Sequence, residues 1–358
     1  MEKKYMKDNY RKLGEYIQPV DVRNSDLKVS RLLGLSIEKC FIESIANTIG
    51  TDFRPYKIVK KGQFAYGPVT SRNGDKITIA LLEEPECIIS SSYAVFEIID
   101  TSKLLPEYLM LWFSRPEFDR YARFKSHGSV REIFDWDEMC RVELPVPDLA
   151  EQQRIVNAYN TVDRRIRLLQ HINEKLEATA QTIYRKTCVE DIESDQSVTL
   201  DTIYEFQYGK GNNNPDNGGK YPIYGSNGII GGYNEYNNEN APVIGHIGIS
   251  CGSLIYAFGK HYVTYNGIMC NIKQKELNYF GYWTLDYLNL RNEVRGSAQP
   301  FISYDLLNGL KIKKSSFEQR LDFCKKVSPL MVKIDSIRKE LSKLQNLKQL
   351  IISRISGM

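Results

Sequence analysis

The 358-residue sequence predicts an α+β protein in which one module, a strand-rich domain closed by a long helix, is used twice in tandem. The two long helices are expected to pair as an antiparallel coiled coil. Three observations carry this reading: an internal repeat, two encoded helix starts, and two heptad seams. Residues 127–186 recur in degraded form at 295–354. Gly128 and Ser129 are matched by Gly296 and Ser297, Trp136-Asp137 by Tyr304-Asp305, and Ile166 and Leu169 by Ile334 and Ile337, all 168 residues apart. Around the second helix start the spacing slips, Leu144 to Leu310 being 166 and Glu151 to Glu318 being 167, as short loop deletions would produce. One spacing recurring on both sides of a slip identifies a duplicated structural unit.

In the first domain, strands are expected at Tyr56–Val59, Ile77–Leu81, Cys87–Ser90 and Ala94–Ile99, where β-branched and aromatic runs are broken by turn residues. A helical stretch follows from Pro106 to Tyr121. Pro145 and Pro147 then bar any earlier start to the long helix, and Asp148 three residues before Glu151 supplies a cap from both directions. From there Val162, Ile166, Leu169, Asn173, Leu176, Ala180 and Ile183 alternate at spacings of four and three, a seam narrower than that of an ordinary surface helix.

The second domain opens with a Gly-, Asn- and Tyr-dominated segment from Gly209 to Tyr236, whose composition suits turns and amide donors rather than a core. Strands are expected at Pro242–Gly245 and Ser253–Ala257, and a helical stretch from Tyr279 to Glu293 matches Pro106 to Tyr121. Ser315 and Glu318 repeat the cap, and Leu330, Ile334, Ile337, Leu341, Leu344, Lys348, Ile351 and Ile355 repeat the seam. Asn173 and Lys348 are the polar positions in the two seams, read either as register-setting groups or as locally wet sites. A helix of about 37 residues is about 55 Å long at 1.5 Å per residue, so paired helices of this kind form a ruler between two domains.

Bulk properties bound the function without choosing it. There are 48 basic and 44 acidic residues, a net charge of +4, which permits nucleic-acid binding without arguing for it. Seven cysteines lie scattered with no Cys-x-x-Cys, so neither a disulfide framework nor a zinc site is written, and a reducing, cytoplasmic setting with no membrane span is expected. No catalytic site can be assembled. Gly209-Lys210-Gly211 and Gly218-Gly219-Lys220 lack the phosphate-loop spacing. His127, His171, His246 and His261 stand alone, and Asn214-Pro215-Asp216 lacks the second proline and the aromatic residue of an amino-methyltransferase motif. No metal or cofactor is expected.

Two turn-rich loops are the candidate contact surfaces. Phe64–Lys76 in the first domain offers Tyr66, Arg72, Asn73 and Lys76; the segment from Gly209 to Tyr236 in the second offers Lys210, Tyr224, Ser226 and Asn227. Asn and Arg side chains match the major-groove edges of adenine and guanine, while Tyr, Ser and Lys suit phosphates. Arg131 and Gln299, just after the matched Gly-Ser pairs, form a competing location.

Leu144-Pro145-Val146-Pro147 followed by Glu151-Gln152-Gln153-Arg154-Ile155-Val156 and a long helix, repeated from Leu310 to Leu321, together with Tyr221–Gly228, resembles the specificity (S) subunit of type I restriction-modification enzymes. The resemblance covers essentially the whole chain, with Lys311 and Lys313 standing where prolines are usual. It implies two tandem α/β target recognition domains, at residues 1–147 and 191–314, each followed by a coiled-coil helix, at 148–190 and 315–358. Each domain would read one half of a bipartite, asymmetric target in double-stranded DNA, and the helices would set the spacing. It also implies a non-catalytic subunit that recruits two adenine-N6 methyltransferase (M) subunits and, in the full complex, restriction (R) subunits. Two other classes remain open. A fused methyltransferase or endonuclease would bind S-adenosylmethionine or metal, and a tandem-domain scaffold would show no sequence-selective, salt-sensitive binding to duplex DNA.

Overall fold

The computed structural model describes residues 10–45, 48–71, 73–128, 132–190, 192, 196–211, 218–296 and 299–355. It divides into two compact units. The first gathers the chain up to Arg167 together with the stretch from Lys343 onward, and the second runs from Leu168 to Ser342.

In the first unit, β1 (Tyr10–Lys12), β2 (Ile17–Val20), β3 (Leu33–Leu35), β4 (Phe41–Glu43), β5 (Lys57–Lys60), β6 (Phe64–Tyr66), β7 (Ile79–Leu81), β8 (Glu86–Ile89) and β9 (Ala94–Ile98) precede three short helices. Strands β2-β9-β6-β7 form an antiparallel sheet, and β3-β4 and β5-β8 form ribbons. The sheet's apolar face is aromatic. Phe64 and Phe96 stack at 4.9 Å and Phe113 meets both edge-on, an offset geometry that favours ring contacts beyond area alone. The expected helical stretch is two helices, α1 (Pro106–Phe113) and α2 (Pro116–Lys125), because Pro116 cannot donate into a continuing helix. After α3 (Trp136–Cys140) comes β10 (Glu143–Pro145), which pairs with β1, and then α4 (Leu149–Arg185).

In the second unit, β11 (Ser197–Thr199), β12 (Tyr204–Tyr208), β13 (Tyr221–Gly225), β14 (Gly228–Tyr233), β15 (Asn238–Gly245), β16 (Leu254–Val263) and β17 (Gly267–Ile272) are followed by α5 (Asn278–Tyr287), α6 (Tyr304–Gly309), β18 (Lys311–Lys313) and α7 (Phe317–Arg354). The sheet order is β12-β17-β15-β16-β13-β14, antiparallel except for the β13–β16 pair. The Gly-, Asn- and Tyr-rich segment was expected to stay out of the core; β13 corrects this, since Ile223 is fully buried and Tyr224 packs with Val243, Ala257, Val263 and Met269. Pairing with β16, far along the chain, covers side chains that the local composition marks as turn.

The expected slip in the repeat is absent. Strands β10 and β18 hold Leu144 and Ile312 in equivalent registers opposite Arg11 and Val198, so Lys311 stands in the place of Glu143 and Lys313 in that of Pro145. Helices α4 and α7 begin at Leu149 and Phe317, again 168 apart. The second cap is Ser316, not Ser315. Gln319 N–H donates to Ser316 Oγ at 3.1 Å and Ser316 N–H to Gln319 Oε1 at 2.9 Å, a reciprocal box. In the first copy the box is half closed: Asp148 Oδ1 accepts from Glu151 N–H at 2.8 Å, while the Glu151 carboxylate turns to Arg154 at 2.6 Å.

Within each unit the two long helices run in opposite directions. In the first, Lys348 Nζ reaches Asp163 Oδ1 at 2.5 Å and lies over the Tyr159 ring, while Ile155 and Val156 share a core with Ile351 and Ile355. In the second, Arg338 pairs with Glu177 at 3.0 Å, and Tyr184 meets Phe323 edge-on at 5.4 Å. Lys348 is thus an ion-paired seam position, and Asn173 donates to Glu177 at 2.9 Å. No helix of the described residues is long and apolar enough to cross a membrane.

Gln152, on the first turn of α4, is fully buried and ties that helix to the strand-rich domain. Its Nε2 donates to the carbonyls of Lys103 and Pro147, and its Oε1 accepts from Leu105 N–H, the residue before α1, at 2.9 Å. Gln152→Ala leaves these backbone groups unpaired and is expected to lower stability by about 1–3 kcal/mol, read as a shifted midpoint in urea unfolding; an unchanged midpoint would show that the clamp is dispensable.

Candidate nucleic-acid interface

Each unit carries the same loop assembly at one end of its sheet. In the first, His127 and Ile133 exchange backbone hydrogen bonds at 3.1 and 2.9 Å and so close a hairpin. In the second, Arg295 and Phe301 do the same at 3.0 and 2.8 Å, 168 residues on. Gly128 (φ 133°) and Gly296 (φ 87°) open the two hairpins in left-handed territory. A Cβ at Gly296 would come within 2.7 Å of the Gln299 carbonyl, so the matched glycines answer a backbone requirement.

In the first unit this hairpin adjoins the Phe64–Lys76 loop. Phe134 N–H donates to Pro68 O, Thr70 N–H to Glu132 O, and Thr70 Oγ1 to Ser126 Oγ. The two locations that the sequence set in competition are therefore neighbours. Asn73 caps the turn, its Nδ2 donating to Val69 O at 3.4 Å, and Lys76 pairs with Glu38 at 2.8 Å. Behind them, Asp119 accepts from Ile77 N–H and from the buried Lys39 at 2.6 Å, which anchors the base of the loop to α2. Tyr66, expected on the contact surface, is instead 1% exposed among Phe96 and Phe134, and burial pushes its phenol well up. Strand pairing on both sides of β6 turns it inward. Arg72 and Arg131 lie outside the described residues.

In the second unit four segments converge. Ser226 Oγ donates to Asn266 O at 2.6 Å, and Ser253 Oγ to Ser226 O at 2.7 Å, so Ser226 holds the β13–β14 turn while Asn227 is exposed beside it. His246 N–H donates to Asn266 O, and Gly248 N–H to Pro300 O, which brings the end of β15 against the 295–301 hairpin. Lys210 is exposed and held by its backbone N–H on Val263 O. Gln299 is exposed within the hairpin. Tyr224, expected to project outward, is 7% exposed and packs edge-on to His261; burial raises its pKa.

The sequence missed an aromatic cluster at this end. Tyr208 lies 4.3 Å from the His246 ring and 4.6 Å from that of Tyr304, and Tyr265 is 5.8 Å from Tyr208. His246 Nδ1 faces the Ile302 carbonyl at 2.8 Å, which requires the proton on that nitrogen if the contact is a hydrogen bond. Tyr265, Tyr304 and Phe301 each keep over a third of their surface exposed. Such rings beside amides and an exposed lysine offer stacking faces and phosphate contacts together. The signal available in the sequence was Tyr208 immediately before Gly209-Lys210. Among the described residues no group of three or more His, Cys, Asp or Glu could hold a metal ion.

Residues 11–178 match the family model described as the type I restriction modification DNA specificity domain. A curated relative, the type I restriction enzyme HindI specificity subunit of Haemophilus influenzae, is 26% identical over 136 residues, which span 37% of this chain and 29% of that protein. The chain thus aligns with under a third of that relative's length. Among solved structures, the type I restriction-modification system S subunit from M. genitalium superposes with a TM-score of 0.64 at 19% identity, covering 97% of this chain and 95% of the other. That likeness establishes a shared fold.

If this loop face meets duplex DNA, Lys210→Ala is expected to weaken binding to all sequences and to flatten the salt dependence by about one unit. Asn227→Ala should instead cost about 1–3 kcal/mol on one target and relax discrimination at one position. Tyr66→Phe and Tyr224→Phe, both buried, should leave duplex affinity within about twofold. Binding isotherms over a salt series separate the three behaviours.

Proposed function

We infer from residues 11–178, which match the type I restriction modification DNA specificity domain, that this chain is the sequence-reading subunit of a type I restriction-modification complex. Each strand-rich domain, within residues 1–147 and 191–314, reads one half of a bipartite, asymmetric target in double-stranded DNA. The helices, within 148–190 and 315–358, pair as an antiparallel coiled coil and fix the gap between the halves. The chain is not itself catalytic. It presents DNA to two methyltransferase subunits and, in the full complex, to restriction subunits. The observation that carries this reading is the loop assembly built twice at one period, with the same hairpin closed at His127 and Ile133 and at Arg295 and Phe301. The scaffold is retained while the loops beside it differ: Thr70, Asn73 and Lys76 in one unit, Lys210, Ser226 and Asn227 in the other. One scaffold with two loop sets suits the reading of two different half-sites.

Methylation mapping in a host expressing this chain with its methyltransferase tests the assignment. A single bipartite motif is expected, and no chain-dependent methylation would overturn it. Exchanging residues 195–312 for the same region of a relative should change one half of the motif only; a change in both halves would show that the domains do not read independently. Inserting one heptad after Leu176, with a matching one opposite it in α7, should lengthen the gap and leave both half-sites intact. Altered half-sites with the old gap would exclude the ruler.

A further inference from the structure

On the first unit a cavity of about 590 Å³ opens among β1, α1, α2, α3 and β10. Tyr10, Trp112, Phe118 and Tyr121 give it aromatic walls, and Arg115 lies in it. This arginine is 5% exposed and stacks on Trp112, its guanidinium carbon 4.0 Å from the ring centroid. Its Nε is buried and has no hydrogen-bond partner among the described residues, and the carboxylate of Glu117, itself half exposed, lies at 3.5 Å. A cation taken out of water in this way is unfavourable unless acceptors meet it. Arg141, by contrast, is paired with Glu138 at 2.6 Å. Lys12 and Lys125 line the same cavity, and no ion pair with either is found among the described residues.

We propose that this cavity docks a segment of a protein partner that carries a carboxylate beside an aromatic or aliphatic side chain. The carboxylate completes Arg115, with Lys12 and Lys125 adding attraction at the edge, and the apolar side chain fills the aromatic walls. A duplex is the wrong occupant. Glu117, Glu138 and Glu143 line the same cavity and repel a polyanion, whereas a single carboxylate can be placed between them and the cations. The proposal goes beyond the reading of DNA and stands without it.

The full chain is titrated, in the absence of DNA, with acetyl-Asp-Phe-Asp-amide and with the isosteric acetyl-Asn-Phe-Asn-amide, binding being followed by ligand-observed NMR. The acidic peptide is expected to bind at least tenfold more tightly. Arg115→Gln should abolish the preference, and Lys12→Ala with Lys125→Ala should cut it several-fold. If Arg115→Gln loses its thermal transition, the double lysine variant decides alone. Equal affinity for the two peptides, no binding of the acidic peptide at millimolar concentration, or a preference that survives in the folded variants would overturn the proposal. So would displacement of the acidic peptide by a non-specific duplex, which would assign the cavity to phosphate.

Discussion

A long helix whose apolar positions form a stripe one or two side chains wide cannot hold itself together in water; it needs a second surface along that stripe. Helices α4 and α7 both carry this debt over more than thirty residues. Each meets it within the two units by lying against the other in the opposite sense and against the strand-rich core at its own start. Ile155 and Val156 enter the aromatic core of the first unit together with Ile351 and Ile355, and Ala180 and Tyr184 enter that of the second with Phe323 and Val327. The loops that end each sheet are positioned by cores that these helices complete.

The two copies keep one backbone plan and differ in how side chains secure it. The hairpins, the caps of α3 and α6, the strands β10 and β18 and the helix starts all fall 168 residues apart, down to the side-chain oxygens of Asp135 and Ser303 that accept from Glu138 and Leu306. At the position after the helix cap box the solutions diverge. Gln152 binds three backbone groups, whereas Arg320 donates to Ser315 Oγ at 3.0 Å and lies over the Phe280 ring. Backbone geometry is conserved between the copies where turns and caps demand it, and side-chain chemistry is free to drift where several partners can satisfy the same helix end.

What the sequence made legible was local. Pro145, Pro147 and Asp148 act within one turn of chain, so the start of the first long helix could be placed without a structure, whereas the matched glycines marked the repeat but not the hairpins they open. The exact partner in a cap could not be placed, because Ser315 and Ser316 are adjacent and both precede a suitable residue by three. The sheet faces were equally hidden. Tyr66 and Tyr224 sit in turn-rich surroundings that suggest exposure, and only pairing with distant strands turns them inward. The Tyr208, His246, Tyr265 and Tyr304 cluster joins four segments, so no window of sequence contains it. Arg115 reads as an ordinary surface cation until Trp112 and the walls around it are seen.

The composition of the first unit has a consequence for the order in which the molecule is made. Its core draws on Ile351 and Ile355, and its ion pair at Asp163 on Lys348, all beyond Ser342, whereas the second unit is a continuous stretch that ends there. On the ribosome the second unit has all its residues first, although it lies later in the chain. The first must wait, incomplete, for the last turns of α7. The units therefore receive their full sets of residues in the reverse of their order along the chain, and a nascent chain stalled short of Lys348 would carry all the residues of one unit and lack Lys348, Ile351 and Ile355 from the other.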